Sequence, residues 1–235
     1  MGLFDKKYCS ICGEKIGLFG NKKLEDGNLC KNCAAKLSPW FSDRRSSTVE
    51  QIRQQLEYRE ENKKKVSEFK VTRTLGDRYK VLFDEDAKRF MVTNASNLQN
   101  ANPDVFDFSD VTGCSNRVHE GKTEIMRELP DGKKESYIPK RYEYDYDFYV
   151  TINVNNPYFN ELEFQINDEL VDDQNNPRYA SYQGMCDEIK DLLLQVRQEA
   201  RDSAAPKKQV VCPHCGATTT PTASGTCEFC GGALE

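Results

Sequence analysis

Between Tyr142 and Val154 apolar and polar side chains alternate without a break. Tyr142, Tyr144, Tyr146, Phe148, Val150, Ile152 and Val154 fall on one face, and Glu143, Asp145, Asp147, Tyr149, Thr151 and Asn153 on the other. A period of two predicts a β-strand, and this length a central, strongly twisted one. Beyond the turn signal Asn155-Asn156-Pro157, Leu162, Phe164 and Ile166 alternate again, so the pair should form a hairpin. Upstream, Phe69 to Leu75, Tyr79 to Phe83 and Arg89 to Thr93 are short β-like runs separated by Gly76-Asp77 and by Asp84 to Ala87. Asn94 to Pro103 reads as a polar loop. Phe106 to His119 reads as a strand pair or one long bent strand, and Lys122 to Leu129 as a further strand ended by Pro130-Asp131-Gly132. The period changes to 3.6 in two places. Thr48, an N-cap with Gln51 as its capping-box partner, precedes the narrow stripe Val49, Ile52 and Leu56. A longer helix is predicted from about Tyr182 to Asp202, with Met185, Ile189, Leu192, Leu193, Val196 and Ala200 at helical spacing.

Seven or so antiparallel strands followed by one amphipathic helix predict an α+β domain, mainly antiparallel β. Such a sheet forms a partly open barrel whose end the C-terminal helix covers. The expected organisation is a four-cysteine module (1–45), a charged linker helix (46–66), the β domain with its helix (67–203), a flexible linker (204–209) and a C-terminal ribbon (210–235).

The cysteines carry the clearest chemistry. Eight of the ten form Cys-x-x-Cys pairs: Cys9/Cys12 and Cys30/Cys33 near one end, Cys212/Cys215 and Cys227/Cys230 near the other. One tight turn aims two sulfurs at one metal, and two such turns complete the tetrahedron that zinc prefers. The intervals of 17 residues after Cys12 and 11 after Cys215 leave room for the chain to return. Gly13 and Gly216 follow the second cysteine of a knuckle, where positive φ is needed. Two structural Zn²⁺ ions are therefore expected, and four thiolates would leave no position for an activated water. His214, inside the Cys-Pro-His-Cys turn, reads as a solvent-facing turn residue. Trp40 and Phe41 read as an aromatic pair that seals the first module or docks it on a neighbour.

Charge is divided unevenly. Residues 1–45 hold 9 basic and 5 acidic side chains, whereas residues 71–205 hold 16 and 26. A polyanion partner would have to meet Lys6, Lys7, Lys15, Lys22, Lys23, Lys31, Lys36, Arg44 and Arg45, since the acidic middle segment repels it. The stretch from Met1 to Lys7 lacks the apolar run of a signal peptide, and no later stretch reaches the length of a membrane span. A cytoplasmic protein without integral membrane association is expected.

The opening Met1-Gly2-Leu3-Phe4-Asp5, with Cys9-x-x-Cys12-Gly13, Cys30-x-x-Cys33 and Leu37-Ser38-Pro39, resembles a bacterial domain-of-unknown-function family of short N-terminal zinc modules, over about residues 1–60. The order of strands and helix that follows, with Phe106-x-Phe108-x-x-Val111, is similar to the pleckstrin-homology-like domains of bacteria. Residues 210–235 resemble a zinc-ribbon tail. The resemblances imply architecture and assign no activity.

The sequence has no glycine-rich phosphate loop, His-Glu-x-x-His helix or Gly-x-Ser-x-Gly elbow. Cys114 and His119, five residues apart in a strand region, should point to opposite faces, and Cys114 and Cys186 read as small buried hydrophobes. The acidic alternation Glu143, Asp145 and Asp147 reads as a solvated surface. The preferred expectation is a non-enzymatic adapter or assembly protein with protein partners. The runner-up is nucleic-acid binding through residues 1–45, and lipid head-group binding by the acidic central domain ranks last.

Overall fold

A computed structural model describes residues 6–204, 209–222 and 224–234, without the side chains of 203 and 204. The expected Met1 to Asp5 signature and residues 205–208 of the expected linker lie outside the described residues. The chain divides into two compact units, Met1–Arg197 and Gln198–Glu235.

The first unit begins with a small cysteine module. A hairpin of β1 (Lys22–Lys23) and β2 (Asn28–Leu29) leads into α1 (Lys31–Ala34). Ile16, Leu24, Leu29 and Leu37 pack around the cysteines, and the cluster is completed by Ile52 from α2 (Val49–Glu68). The capping box forms as the spacing predicts: Gln51 N–H donates to Thr48 Oγ1 at 3.3 Å, and Thr48 N–H to Gln51 Oε1 at 2.8 Å. Asp26, in the β1–β2 turn, accepts from Val49 N–H at 2.7 Å, so the module itself caps the helix. Gly27 is squeezed between Ser10 and Val49, where a Cβ would lie 2.6 Å from a side-chain atom of each.

Helix α2 is no free linker. Its buried stripe is Ile52, Gln55, Arg59, Asn62 and Val66, and only its ends are apolar. Ile52 belongs to the cysteine module, while Val66 packs with Leu82, Met91 and Val105 on one face of a four-stranded antiparallel sheet. That sheet runs β3 (Arg73–Leu75), β4 (Lys80–Asp84), β5 (Arg89–Thr93), then, after the short helix α3 (Leu98–Ala101), β6 (Val105–Asp107). Its opposite face contributes Val81, Phe83, Phe90, Val92 and Phe106 to the main core. Strands covered on both faces are apolar at consecutive positions, as in Val81-Leu82-Phe83.

A second antiparallel sheet follows in the order β7 (Val111–Glu128), β8 (Lys134–Val154), β9 (Glu161–Gln165). Phe148, Val150, Ile152, Leu162 and Phe164 face the first sheet, and α4 (Pro177–Ala204) adds Tyr182, Cys186, Ile189, Leu193 and Val196. The architecture is thus mixed helix and sheet with antiparallel pairing throughout. Among the described residues no sheet closes into a barrel.

Local differences from the expected elements have physical causes. The strand expected at Phe69 starts at Arg73, because Phe69 caps α2 and Lys70 N–H is taken by Asp84 Oδ2 at 2.8 Å. The expected loop from Asn94 contains α3, capped by Asn97 and ended by Asn102 at φ 48°. Lys122 to Leu129 is not a separate strand but the outer part of β7. The long strand is central only over Tyr149 to Asn153, where β9 pairs with it; farther out, β7 and β8 form a two-stranded ribbon. There the tyrosine alternation supports cation–aromatic contacts across strands, with the Lys122 ammonium 4.1 Å from the Tyr142 ring centre and 5.5 Å from that of Tyr144.

The second unit takes in the last turns of α4 and a small fold of β10 (Val210–Val211) paired with β11 (Thr218–Thr219). No helix among the described residues is long and apolar enough to cross a membrane.

Candidate metal centres

All eight predicted ligands converge into two groups, Cys9/Cys12/Cys30/Cys33 and Cys212/Cys215/Cys227/Cys230, with the sulfurs of each group within 4.8 Å of one another. Three of the four pairs share one backbone device. The first cysteine's N–H donates to the carbonyl five residues on, and the N–H four residues on donates back to its carbonyl, at 2.8 to 2.9 Å in Cys9/Glu14/Gly13, Cys212/Ala217/Gly216 and Cys227/Gly232/Gly231. Closing that loop requires positive φ at the returning residue, found at Gly13 (75°), Gly216 (72°) and Gly231 (70°). The spacing of Gly231 carried the same signal as Gly13 and Gly216 and went unused in the sequence reading. The fourth pair is built differently. Cys30 is the N-cap of α1 and its Sγ accepts from Cys33 N–H at 3.4 Å, so Ala34 with ordinary helical geometry stands where the knuckles have glycine.

The sulfur geometry suits a metal ion and not disulfides. Sulfur separations of 3.8 Å (Cys12 to Cys30), 3.6 Å (Cys212 to Cys230) and 3.7 Å (Cys215 to Cys227) far exceed a disulfide bond. They match the edge of about 3.8 Å that a tetrahedron with metal–sulfur bonds of about 2.3 Å would have. The thiols do not share one ionisation tendency. Burial opposes ionisation of Cys9, but N–H groups of Cys12, Cys30 and Ile11 stabilise its thiolate and bring its pKa to about 6. Burial together with the neighbouring sulfurs then raises Cys33 strongly. In the second group, burial is likewise outweighed at Cys227, which backbone N–H groups hold to about 7. Cys230 is pushed up to about 12, its bond from Gly232 being outweighed by the sulfurs around it. Four thiolates crowd too much negative charge into one place unless a divalent ion shares it.

A family model described as Domain of unknown function (DUF4428) matches residues 7–55. The DUF4428 match takes in the four cysteines of the first group and ends inside α2, after Ile52, the helix residue that completes the module's core. Comparison with curated proteins and with solved structures gives no match.

The remaining singled-out residues add no side-chain ligand to either centre, although the His214 N–H donates to Cys212 Sγ at 3.4 Å. His214 is exposed and outside the second cysteine group. Cys114 is half-buried and pushed up to about 12 by burial, while His119 is exposed on the same regular stretch of β7, an odd number of residues away. Asp147 accepts from Gln165 Nε2 at 2.6 Å, and among the described residues no third metal-ligating group gathers around Glu143, Asp145 and Asp147. Trp40 docks the module on the sheets, with its ring centre 6.2 Å from Tyr79 and 6.3 Å from Phe164, and Phe41 meets Tyr158 at 6.3 Å.

The sequence reading missed a buried polar junction beside the first centre. Arg59 Nη1 pairs with Asp104 Oδ1 at 2.8 Å, Arg59 Nε donates to the Lys36 carbonyl at 3.3 Å, and Ser38 Oγ donates to Asp104 Oδ2 at 2.7 Å. Asn62 donates to the Pro103 carbonyl at 2.7 Å and accepts from Val105 N–H at 3.0 Å. The junction ties the cysteine module, α2 and the start of β6 together with every one of these groups satisfied.

Proposed function

We propose that the chain is a cytoplasmic, non-enzymatic zinc-binding adapter that assembles protein partners on a pleckstrin-homology-like body. Two structural Zn²⁺ ions, held by Cys9, Cys12, Cys30 and Cys33 and by Cys212, Cys215, Cys227 and Cys230, support its ends. All-thiolate donor sets favour zinc, and a filled tetrahedron favours structure over catalysis. Thiolate sites of this kind persist in a reducing compartment. The pleckstrin-homology-like reading is supported by the four-stranded meander, the three-stranded sheet and the helix that follows them.

The observation that carries the adapter reading is the outer edge of β7. It is an edge strand of 18 residues beside α4, with a concavity of about 160 Å³ lined by Asn116, Val118, Phe148, Gln183, Cys186 and Asp187. An unpaired edge offers a row of backbone donors and acceptors to an extended peptide, and the adjoining concavity can select a side chain. The test is affinity capture of the tagged full chain from its own cells, with and without nuclease, alongside Val118→Glu. Stoichiometric capture of a protein that resists nuclease and is lost in the variant is expected. Loss on nuclease treatment would move the reading to nucleic acid, and capture indifferent to Val118→Glu would contradict the β7 edge.

A further inference from the structure

The cysteine module buries Ile16, Leu24, Leu29 and Leu37, yet it leaves two large apolar side chains almost entirely in solvent: Leu18 at 80% exposure and Phe19 at 87%. They sit at the two apical positions of the turn Gly17-Leu18-Phe19-Gly20, which is closed by Gly20 N–H donating to the Gly17 carbonyl at 3.0 Å. The turn is rooted in the first knuckle, because Ile16 N–H donates to the Lys7 carbonyl at 2.8 Å. The hydrogen-bonded knuckle at its base therefore anchors the turn. Scattered single apolar side chains on a surface need no explanation, but this adjacent pair at a turn apex belongs to no core cluster among the described residues.

Its surroundings are basic. The turn borders a concavity of about 350 Å³ whose wall includes Lys15, Lys31 and Asn32 and one acidic residue, Glu14. Lys22 and Lys23 follow the turn after Asn21, and Arg44 reaches the same strand, donating to the Lys23 carbonyl at 3.1 Å. All of these lysines are exposed, and among the described residues none of the five cations is ion-paired.

We infer that this turn docks the protein on an anionic lipid bilayer, Leu18 and Phe19 entering the interfacial layer while Lys15, Lys22, Lys23 and Lys31 meet lipid phosphates. A bilayer surface rewards both features at once: an apolar apex reaches the acyl boundary, and lysines around it face the anionic head groups. Nucleic acid would engage the lysines but gain nothing from Leu18, and an apolar groove on a protein would accept the apex but not need the cations. The acidic groups of the central sheets oppose approach only within a screening distance of about 8 Å at physiological salt. Docking is peripheral and separate from the β7 edge, so either reading can fail without the other.

The test is sedimentation of the metal-loaded full chain with vesicles of phosphatidylcholine alone and of phosphatidylcholine mixed with phosphatidylglycerol. Binding only to the mixed vesicles is expected, weakening as salt rises. The double variant Leu18→Ser/Phe19→Ser should bind about tenfold more weakly or worse, and Lys22→Gln/Lys23→Gln should lose part of the binding and of the salt dependence. Metal content and circular dichroism check that the exposed-site variants keep their fold. In Phe19→Trp, acyl-chain-brominated lipids should quench the new emission, whereas wild-type emission from Trp40, packed between Tyr79 and Phe164, should not respond. No vesicle binding, equal binding to neutral vesicles, or full binding by the serine double variant would overturn the proposal. So would binding of nucleic acid or protein by the same turn in the absence of vesicle binding.

Discussion

The two cysteine clusters have the same residue types, the same Cys-x-x-Cys spacing and similar sulfur separations, 3.8 Å in the first and 3.6 and 3.7 Å in the second. Their surroundings differ. At the first, three of the four cysteines are buried among Ile16, Leu24, Leu29, Leu37 and Ile52. At the second only Cys212 and Cys227 are buried, with Thr219 the other buried residue described nearby. A metal bound there would substitute for a hydrophobic core. At the first site it would join one, and through Ile52 that core owns the start of α2. Since α2 goes on to fill the polar junction at Asp104 and then to cover the first sheet with Val66, the first centre supports the whole of its unit, while the second supports its own small fold. One motif can thus be a local staple or a keystone, and what decides is which helix its core borrows.

That contrast can be broken most forcefully at the junction. Arg59→Met leaves the buried Asp104 carboxyl, which burial already pushes up, without its partner, and denaturant unfolding should show a loss of about 3–5 kcal/mol. Adding Asp104→Leu should recover a good part of it, because the buried carboxyl left without its partner goes too. Trp40→Ala removes the half-buried ring between module and sheets, with an expected loss of about 2–3 kcal/mol, below the range for a fully buried aromatic. Thr48→Ala deletes the cap of α2 and should cost about 1 kcal/mol in the same measurement. Gln55 sharpens the comparison from the other side. Its amide is buried in the α2 stripe without a hydrogen-bond partner among the described residues, so Gln55→Met should raise stability by about 1 kcal/mol. None of these changes should alter metal retention at the second centre.

How much of this was legible in the sequence depended on how local the determinant was. The cysteine spacing and the knuckle glycines encode their geometry within six residues, and the grouping of the eight cysteines could be read from them. Alternation located β8, but the pattern Tyr142-x-Tyr144 is the same in a covered sheet and in a free ribbon, so only pairing with β9 could show where the core stops. The role of α2 was hidden for a different reason. A reading that follows apolar residues finds Val49, Ile52 and Leu56 and then a charged run, whereas the buried stripe continues through Arg59 and Asn62, whose partners Asp104 and Asn102 lie 45 and 40 residues away. Satisfied buried polar groups look like surface until the partner is placed.

The account is tested most directly by removing one metal at a time, with Cys33→Ser and Cys227→Ser, and following thermal unfolding by the emission of Trp40, the single tryptophan, at the seam between module and sheets. Cys33→Ser should lower the Trp40 midpoint by about 10 °C or more, as expected when several kcal/mol of metal-linked folding energy are lost from a unit of this size. Cys227→Ser should leave that midpoint in place while its own fold opens. Equal shifts in the two variants, or an unchanged midpoint in Cys33→Ser, would contradict the keystone role of the first centre.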